Sequence, residues 1–376
     1  MLDYYTDRPP PDAGSSRPEP TRMTPTPDDP RLAELRGWLA SPAVTQALAL
    51  DTLRPASDDA SFRRYFRVDA ARPGAPSLIA MDAPPPMEDC RPFVHAAQVF
   101  AAAGVSVPRV LAADLERGFL LLDDFGSTTY LSQLQGGDPL DGRADALYRD
   151  AIAALARLQS ASRPGVFPDY DRALLQRELD LYPDWYLARH RGIELDAGQR
   201  RTLAEAFERL LANNLAQARV FVHRDYHARN LMVLEGSANP GMLDFQDAVY
   251  GPITYDLVSL LRDAYVAWPE ARQIDWAARY WDEARRHGLP VADDFAAFYR
   301  DFEWMGLQRQ LKVLGIFARL HHRDGKDRYL ADMPRVLGYA LGVARRYGEL
   351  DALARLLERI EAAGGESGAP VAGYTF

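Results

Sequence analysis

Residues 221–247, FVHRDYHARNLMVLEGSANPGMLDFQD, place ionisable side chains and an amide around two short apolar runs. The runs, Leu231–Leu234 and Met242–Phe245, are separated by a loop with glycine and proline, which predicts a hairpin of two four-residue strands. Strands of this length advance only about 13 Å, at roughly 3.3 Å per residue. The hairpin would therefore return Asp244 beside Asn230.

Asp225 precedes Asn230 by five residues, in the tight polar loop before this hairpin, so we expect it close to both Asn230 and Asp244. Two carboxylates and an amide offer hard oxygen ligands that suit Mg²⁺, which binds through one or two carboxylates plus substrate phosphates. The remaining carboxylate could accept a proton from a hydroxyl nucleophile. These groups are the minimum for phosphoryl transfer, which depends mainly on positioning and charge neutralisation.

A different chemistry is open to the same loop. His223, Asp225 and His227 alternate along the chain, so their side chains could project to one side and bind Zn²⁺ in a metal-dependent hydrolase. That hypothesis leaves Asn230 and Asp244 without a role. A third possibility is a polar turn without any chemistry.

Composition limits the classes of function. A net charge of −9 disfavours nucleic acid as a partner, because phosphate binding requires a basic surface. The one cysteine, Cys90, excludes an internal disulfide and is typical of a reducing cytoplasm. No apolar run approaches the roughly 20 residues that span a bilayer, and the N-terminus has no signal-peptide pattern. We expect a cytoplasmic protein that binds neither nucleic acid nor membrane; its oligomeric state is not predicted.

The elements that must position these residues follow from the hydrophobic pattern. Residues 1–30 are rich in proline and poor in apolar side chains, which predicts a disordered tail. Residues 31–122 predict a strand-rich N-lobe. Its predicted elements are a helix over Arg31–Leu50, strands over Arg64–Val68 and Leu78–Met81, a helix ending at Gly104, and two strands around Arg117–Gly118.

A hinge at residues 123–127 is expected to lead into a larger helical C-lobe over residues 128–365. In DLVSLLRDAYVAW, apolar residues at helical spacing predict a helix up to Trp268. Asp256 stands where an N-cap belongs, and we expect it to cap this helix and to brace the loop. The fold class is therefore α+β in two lobes, with a ligand site in the cleft between them.

Three elements resemble the protein kinase superfamily. HRDYHARN resembles the H-R-D-x-x-x-x-N catalytic loop, and LDFQD stands where kinases have D-F-G. The form Asp-x-His-x-x-Asn, followed by a hairpin and GPITYDLVSLL, is more similar to the aminoglycoside phosphotransferase and choline kinase branch. The resemblance covers roughly Leu53 to Tyr347. Within that branch, MDAPP and these segments resemble the bacterial anomeric kinases for N-acetylmuramate and N-acetylglucosamine.

The resemblance implies a protein-kinase-like fold and a kinase that uses ATP and Mg²⁺. It also implies that the N-lobe, residues 31–122, binds the nucleotide and that the C-lobe, residues 128–365, contains the catalytic loop and the substrate pocket. Asp225 would orient and deprotonate the sugar hydroxyl, while Asn230 and Asp244 would hold Mg²⁺. The implied product is the 1-phosphate of N-acetylmuramate, N-acetylglucosamine or both, in peptidoglycan recycling. An aminoglycoside phosphotransferase or another small-alcohol phosphotransferase is the alternative within the same branch.

Two parts of the kinase pattern are missing. Kinases hold phosphates with a lysine on the third strand, but LIAMD has Met81 near that position and no lysine precedes Lys312. The covering loop, ASDDASFRRYFRV, has no glycine. We expect Ser61, backbone amides, and Arg63 or Arg64 to bind the phosphates, because guanidinium binds phosphate bidentately. A catalytically weak nucleotide-binding regulator therefore stays open.

The missing lysine also affects two neighbouring predictions. Glu88 would lack its lysine partner, so we interpret it as a charge at a helix N-terminus. Adenine would bond to the backbone of the linker around Leu122 to Asp124.

Only eleven residues lie between Asp244 and Asp256, which favours a small-molecule acceptor over a peptide. The cations of a late helix suggest a site that tolerates a carboxylate, such as the lactyl group of a muramic acid, or else a solvated charged face. These cations include Arg309, Lys312 and Arg319.

Further candidates for contacts with the substrate, the phosphates or the metal are His227 and Asp247. Trp185 and Tyr186 could form an aromatic platform for a sugar ring or could pack in the core.

Overall fold

The computed structural model describes residues 29–57, 62–135 and 142–364. The predicted tail up to residue 28 and the predicted phosphate contact Ser61 lie outside these ranges. The strands are β1 (Leu48–Ser57), β2 (Arg64–Ala70), β3 (Leu78–Asp82), β4 (Val110–Asp114), β5 (Phe119–Asp123), β6 (Arg219–Val222), β7 (Leu231–Met232), β8 (Gly241–Met242) and β9 (Val249–Pro252).

The α-helices are α1 (Pro30–Leu39), α2 (Arg91–Ala102), α3 (Tyr130–Leu134), α4 (Gly142–Ser160), α5 (Arg172–Leu181), α6 (Ala197–Ala216), α7 (Tyr255–Leu261), α8 (Glu270–Arg286), α9 (Phe295–Asp324), α10 (Met333–Arg346) and α11 (Asp351–Gly364). A π-helical segment, Tyr182–His190, continues α5. The chain forms two compact units. The first contains the described residues up to Ser127 together with Gly241–Asp247, and the second contains the rest.

The first unit is built on an antiparallel sheet in the order β1-β2-β3-β5-β4. Strands β2 and β3 pair with Arg64 opposite Asp82, close to the boundaries that the sequence predicts. Apolar side chains on one face of the sheet pack against α1, where the ring centroids of Trp38 and Phe119 lie 5.7 Å apart. Arg31 and Arg64 both donate to the fully buried Asp82 carboxylate, so ion pairs also fix α1 and β2 to β3.

The predicted helix over Arg31–Leu50 is wrong in its second half. Helix α1 ends at Leu39, and the chain enters β1 at Leu48. The residue before a proline is disfavoured in the helical region, and Ser41 precedes Pro42. The prediction from apolar spacing is too long because it does not take this proline into account.

The second unit is mostly helical, with α9 at its centre. This helix has 30 residues, so it is about 45 Å long at 1.5 Å per residue, and it contacts α5, α6, α7, α10 and the π-helical segment. Its polar residues are buried as well as its apolar ones. Arg309, Lys312 and Arg319 are 5%, 4% and 4% exposed, so the alternative of a solvated charged face is wrong for these three cations.

Two strands of the second unit lead to the loop that the sequence singles out. β6 pairs with β9 in antiparallel register, Val220 opposite Gly251. A Cβ atom at position 251 would lie 2.5 Å from Cβ of Tyr170, so this strand pair can pack there only with glycine. His223 follows directly after β6.

Three predicted boundaries near this loop differ from the structure. β7 and β8 each have two residues rather than four. The chain is already in the left-handed region at Asp244, with φ of 63°, which ends the strand before that residue. Helix α7 ends at Leu261 instead of reaching Trp268, because the chain turns where the Asp263 carboxylate accepts from N–H of Tyr265.

No helix in the described ranges has both the length and the apolar character needed to cross a bilayer.

Candidate active site

Backbone hydrogen bonds to a buried carboxylate hold the loop His223–Asn230 in place within the second unit. The N–H groups of His223 and Arg224 donate to the two oxygens of Asp256, at 2.6 Å and 2.9 Å. Asp256 is fully buried in the first turn of α7, and burial raises the pKa of its carboxyl to about 7. It braces the loop as expected, but the N-cap of α7 is Thr254. Arg224, at φ of 77°, turns the chain between the two parts of the loop.

Inside the loop, backbone and amide hydrogen bonds bring two of the predicted site residues together. N–H of His227 donates to the carbonyl of Asp225 at 3.0 Å, and N–H of Asn230 donates to the carbonyl of His227 at 2.9 Å. Nδ2 of Asn230 donates to the same Asp225 carbonyl at 3.0 Å. The Asn230 side chain is thereby oriented beside Asp225, and both residues are partly exposed.

A second buried carboxylate supports the loop, and the sequence analysis missed it. Asp263 is fully buried and accepts from N–H of Ala228 at 3.0 Å through one oxygen. Its other oxygen accepts from N–H of Tyr265 at 2.9 Å. Burial raises the pKa of Asp263 to about 6. The sequence around Arg262–Asp263 contains no pattern that predicts a contact between Asp263 and the loop.

His227 does not have the environment of a charged residue. Its ring meets Tyr265 edge-on, with centroids 5.4 Å apart. Burial and then the positive charges of Arg309 and Arg229 hold the pKa of His227 well below its usual range. A neutral imidazole follows at pH 7.

Behind the loop, a buried ionic cluster fixes Arg224 and Lys312. Glu178 of α5 is fully buried, and it accepts from Nη2 of Arg224 at 2.7 Å and pairs with Nζ of Lys312 at 3.1 Å. Burial works to raise the pKa of Glu178, but Lys312 and Arg224 outweigh it and lower the pKa to about 2. Lys312 also donates to the Tyr255 hydroxyl at 2.7 Å. The ammonium of Lys312 is therefore held in the interior.

Arg309 and Tyr186 are interior residues too. Nη2 of Arg309 donates to Oγ of Ser259 at 2.8 Å. Tyr186 is 3% exposed and stacks on Tyr182 with centroids 5.3 Å apart, which matches the alternative of core packing. Trp185 is partly exposed and lies under the Arg189 guanidinium, 4.7 Å from the ring centroid.

In the first unit, Arg63 and Asp244 belong to one cluster. Arg63 is 7% exposed, and its guanidinium donates to Oε2 of Glu88 at 3.1 Å. Nη1 of Arg63 lies 3.9 Å from Oδ1 of Asp244. Glu88 has no lysine partner, as expected, but beyond its predicted role as a charge at a helix N-terminus it pairs with an arginine from the loop before β2. We call Arg63, Glu88 and Asp244 the Arg63 cluster.

The segment that contains Asp244 is anchored within the first unit. The Phe245 ring packs on Phe93 and Phe100 of α2, with centroids 4.7 Å and 5.7 Å apart. Nε2 of Gln246 donates to Oδ1 of Asp244 at 2.7 Å. Asp247 follows, partly buried, at the end of this segment.

The other nucleotide-side residues have structural partners. Arg64 pairs with Asp29 and Asp82, as Arg63 pairs with Glu88. Leu122 is buried in β5, paired with Ile79 on one side. The Asp124 side chain accepts from Oγ of Ser77 at 2.6 Å and from N–H of Gly126 at 2.8 Å, so it shapes the linker.

The zinc hypothesis finds no support in the described ranges. No group of three or more His, Cys, Asp or Glu side chains there could hold a metal ion. His223 is fully buried beneath the loop, with its ring against Tyr226. Asn230 and Asp244 each carry a side-chain oxygen, which is the donor type that Mg²⁺ prefers.

Comparison with known proteins agrees with this chemistry. Residues 52–295 match the family described as APH, phosphotransferase enzyme family. A protein of Pseudomonas aeruginosa named N-acetylmuramate/N-acetylglucosamine kinase is 50% identical over 337 residues, covering 88% of this chain and 97% of its own. A protein of the same name from Neisseria meningitidis serogroup B is 46% identical over 349 residues, covering 92% and 99%.

Solved structures share the fold at low identity. The amicoumacin kinase hAmiN, in complex with AMP-PNP, Ca²⁺ and Ami, has a TM-score of 0.55 at 12% identity and covers 89% of this chain and 96% of its own. The Plasmodium vivax ethanolamine kinase Pv091845 has a TM-score of 0.54 at 9% identity, with 77% and 83% covered.

The chain belongs to the APH phosphotransferase enzyme family. The predicted α+β, protein-kinase-like fold with a strand-rich lobe and a helical lobe is confirmed, and so is the assignment to the phosphotransferases.

Proposed function

We propose that this protein is an ATP- and Mg²⁺-dependent kinase that phosphorylates the anomeric hydroxyl of N-acetylmuramate, N-acetylglucosamine or both. Support for the substrates comes from the names of relatives that are 50% and 46% identical over most of the chain. Its product, the sugar 1-phosphate, would serve the recycling of peptidoglycan sugars in the cytoplasm. The single observation that supports kinase chemistry best is the braced loop that holds Asn230 beside Asp225.

Asp225 is the proposed catalytic base. Its carboxylate accepts the proton of the sugar hydroxyl as that oxygen forms a bond to the γ-phosphorus, and the bond between this phosphorus and the β,γ-bridging oxygen breaks to release ADP. Two buried carboxylates, Asp256 and Asp263, hold the loop backbone, so the base is fixed before the substrate binds. Fixed geometry of this kind lowers the barrier, because the base has little rotational freedom left to lose on reaching the transition state.

Asn230 and Asp244 are the proposed ligands of Mg²⁺, which neutralises charge on the phosphate oxygens when bound. Both supply oxygen donors, the ligand type that Mg²⁺ prefers. The amide of Asn230 is oriented by the Asp225 carbonyl, and Asp244 is held by Gln246.

Arg63 is the proposed phosphate anchor in place of the kinase lysine. It is buried, paired with Glu88 and close to Asp244, which is the setting that the lysine–glutamate pair provides in kinases. A guanidinium also binds phosphate oxygens bidentately, whereas an ammonium acts as a point charge.

A sugar panel tests the proposal directly. The protein is incubated with ATP, Mg²⁺ and N-acetylmuramate, N-acetylglucosamine or an aminoglycoside, and the product is identified by phosphorus NMR. We expect an anomeric phosphate on one or both acetylated sugars. Phosphorylation of the aminoglycoside alone would contradict the substrate assignment, and nucleotide binding without turnover would favour the regulator hypothesis.

A further inference from the structure

Arg229 is a catalytic-loop cation that neither the sequence motif nor the kinase comparison assigns. It stands between Ala228 and Asn230, and its side chain is partly exposed. Its guanidinium carbon lies 4.7 Å from the ring centroid of Tyr265 and 6.0 Å from that of Tyr329. Among the described residues Arg229 has no ion pair with a carboxylate, and its charge interacts with Tyr265 and Tyr329. The rings and hydroxyl groups of Tyr265 and Tyr329 therefore orient this charge without neutralising it.

The platform under Arg229 is rigid and is tied to the loop. The Asp263 carboxylate accepts from Ala228, which precedes Arg229, and from Tyr265, whose ring receives the guanidinium. Tyr329 is 6% exposed and packs on Phe317 of α9, with centroids 5.2 Å apart. One buried carboxylate thus fixes both the backbone beside Arg229 and the ring beneath its side chain.

Other cations near the loop are committed to protein partners. Lys312 and Arg224 share Glu178, and Arg309 donates to Ser259. Arg335 pairs with Asp332 at 3.1 Å and also donates to the carbonyl of Ala264. Asp332 lies near enough to Arg229 to interact electrostatically, but its ion pair is with Arg335.

We propose that Arg229 binds the carboxylate of an acidic acceptor sugar and thereby sets the preference for an acidic over a neutral amino sugar. This inference rests on the proposed function, in which the hydroxyl nucleophile lies at Asp225, four residues before Arg229. Guanidinium and carboxylate form paired hydrogen bonds, and a neutral sugar without the lactyl carboxylate cannot make them. The carboxylate site that the sequence suggested on α9 is thus reassigned from buried Arg309 and Lys312 to Arg229.

The test compares kcat/KM for N-acetylmuramate and N-acetylglucosamine in the full-length wild type and in Arg229→Gln. A charge-assisted hydrogen bond of ordinary strength predicts that the ratio of the two values shifts about 10- to 100-fold toward the neutral sugar. Arg229→Lys keeps the charge but not the paired geometry, so its ratio should fall between. Arg328→Gln is the matched control, because Arg328 stacks on the same Tyr329 ring but is exposed and outside the loop; its ratio should equal that of the wild type.

A second measurement uses only the wild-type protein, so it does not depend on whether a variant folds. The methyl ester of N-acetylmuramate lacks the negative charge, so wild-type KM for the ester should exceed KM for the free acid by a similar factor. High salt should raise KM for the free acid more than for N-acetylglucosamine. An ester as good as the acid, or a sugar ratio that Arg229→Gln leaves unchanged, would overturn the inference. If the wild type phosphorylates neither sugar, the proposed function itself fails, which is a distinct result.

Discussion

The loop His223–Asn230 in the second unit and the Arg63 cluster in the first unit are stabilised by different means. Two buried carboxylates accept three backbone N–H groups of the loop, so its shape depends on main-chain contacts. The Arg63 cluster depends on side-chain ion pairs between residues that are far apart in sequence. The loop is recognisable as a local sequence motif. The Arg63 cluster is not, because arginine and lysine can both pair with a glutamate that is distant in sequence.

The largest effect that bears on this comparison is expected from Asp244→Ala. Loss of the proposed carboxylate ligand of Mg²⁺ should cost several kcal/mol of transition-state stabilisation, so kcat should fall about 1000-fold or more. Turnover at saturating Mg²⁺ measures the effect. As a control, Asp196→Asn at the N-cap of α6 should retain wild-type turnover, because asparagine also caps helices. Wild-type turnover in Asp244→Ala would show that the first unit contributes no metal ligand.

Removal of Glu178 tests the ionic support behind the loop. Glu178→Gln leaves Arg224 and Lys312 buried without a counter-charge, so the free energy of unfolding at pH 7 should fall by about 3–5 kcal/mol. Urea unfolding measures it. Glu208→Gln removes one partner of the exposed pair with Arg172, and it should change stability by less than about 1 kcal/mol. Equal effects from the two variants would refute the role of the buried cluster.

The same carboxylate predicts a dependence of stability on pH. The pKa of Glu178 is lowered from 4.5 to about 2 in the folded protein, so its stabilisation is fully present above pH 4.5 and is lost as pH falls toward 2. The linked loss is about 3 kcal/mol. Urea unfolding measured at roughly pH 6 and at successively lower pH should show that the free energy of unfolding declines less steeply in Glu178→Gln than in the wild type.

The smallest effect is expected at Arg63. Arg63→Met removes the proposed charge-assisted contact with phosphate, so kcat/KM for ATP should fall about 10- to 100-fold, with less change in KM for the sugar. Arg63→Lys should recover part of the loss. Arg109→Gln breaks an exposed pair with Asp123 and serves as a control for charge removal in this unit. An unchanged KM for ATP in Arg63→Met would mean that the phosphates are held by other groups.

The sequence was sufficient for the parts of the molecule that local patterns determine. The motif HRDYHARN predicted the loop, and strands β2 and β3 lie where alternation and turn residues indicated. The partners that support them could not be predicted. Glu88 and Arg63 are 25 residues apart, and Asp263 meets Ala228 across 35 residues, so neither contact has a periodic signal.

Burial of polar residues was the other limit. Helix α9 reads as amphipathic, yet Arg309, Lys312 and Gln310 are all interior, because a central helix in a helical unit is covered on every side. Residue type alone does not distinguish a charged residue that is ion-paired in the interior from one that is exposed on the surface. For that reason the sequence pattern indicates a carboxylate contact on α9, whereas we propose this contact at Arg229.

The measurement that tests the central claim most directly is turnover of Asp225→Asn with ATP, Mg²⁺ and the preferred amino sugar. Asparagine keeps the size of the side chain but cannot take the proton of the hydroxyl, so kcat should fall about 100- to 10,000-fold while KM for ATP changes little. Turnover equal to that of the wild type would contradict the assignment of Asp225 as the base and, with it, the account of the loop as the centre of phosphoryl transfer.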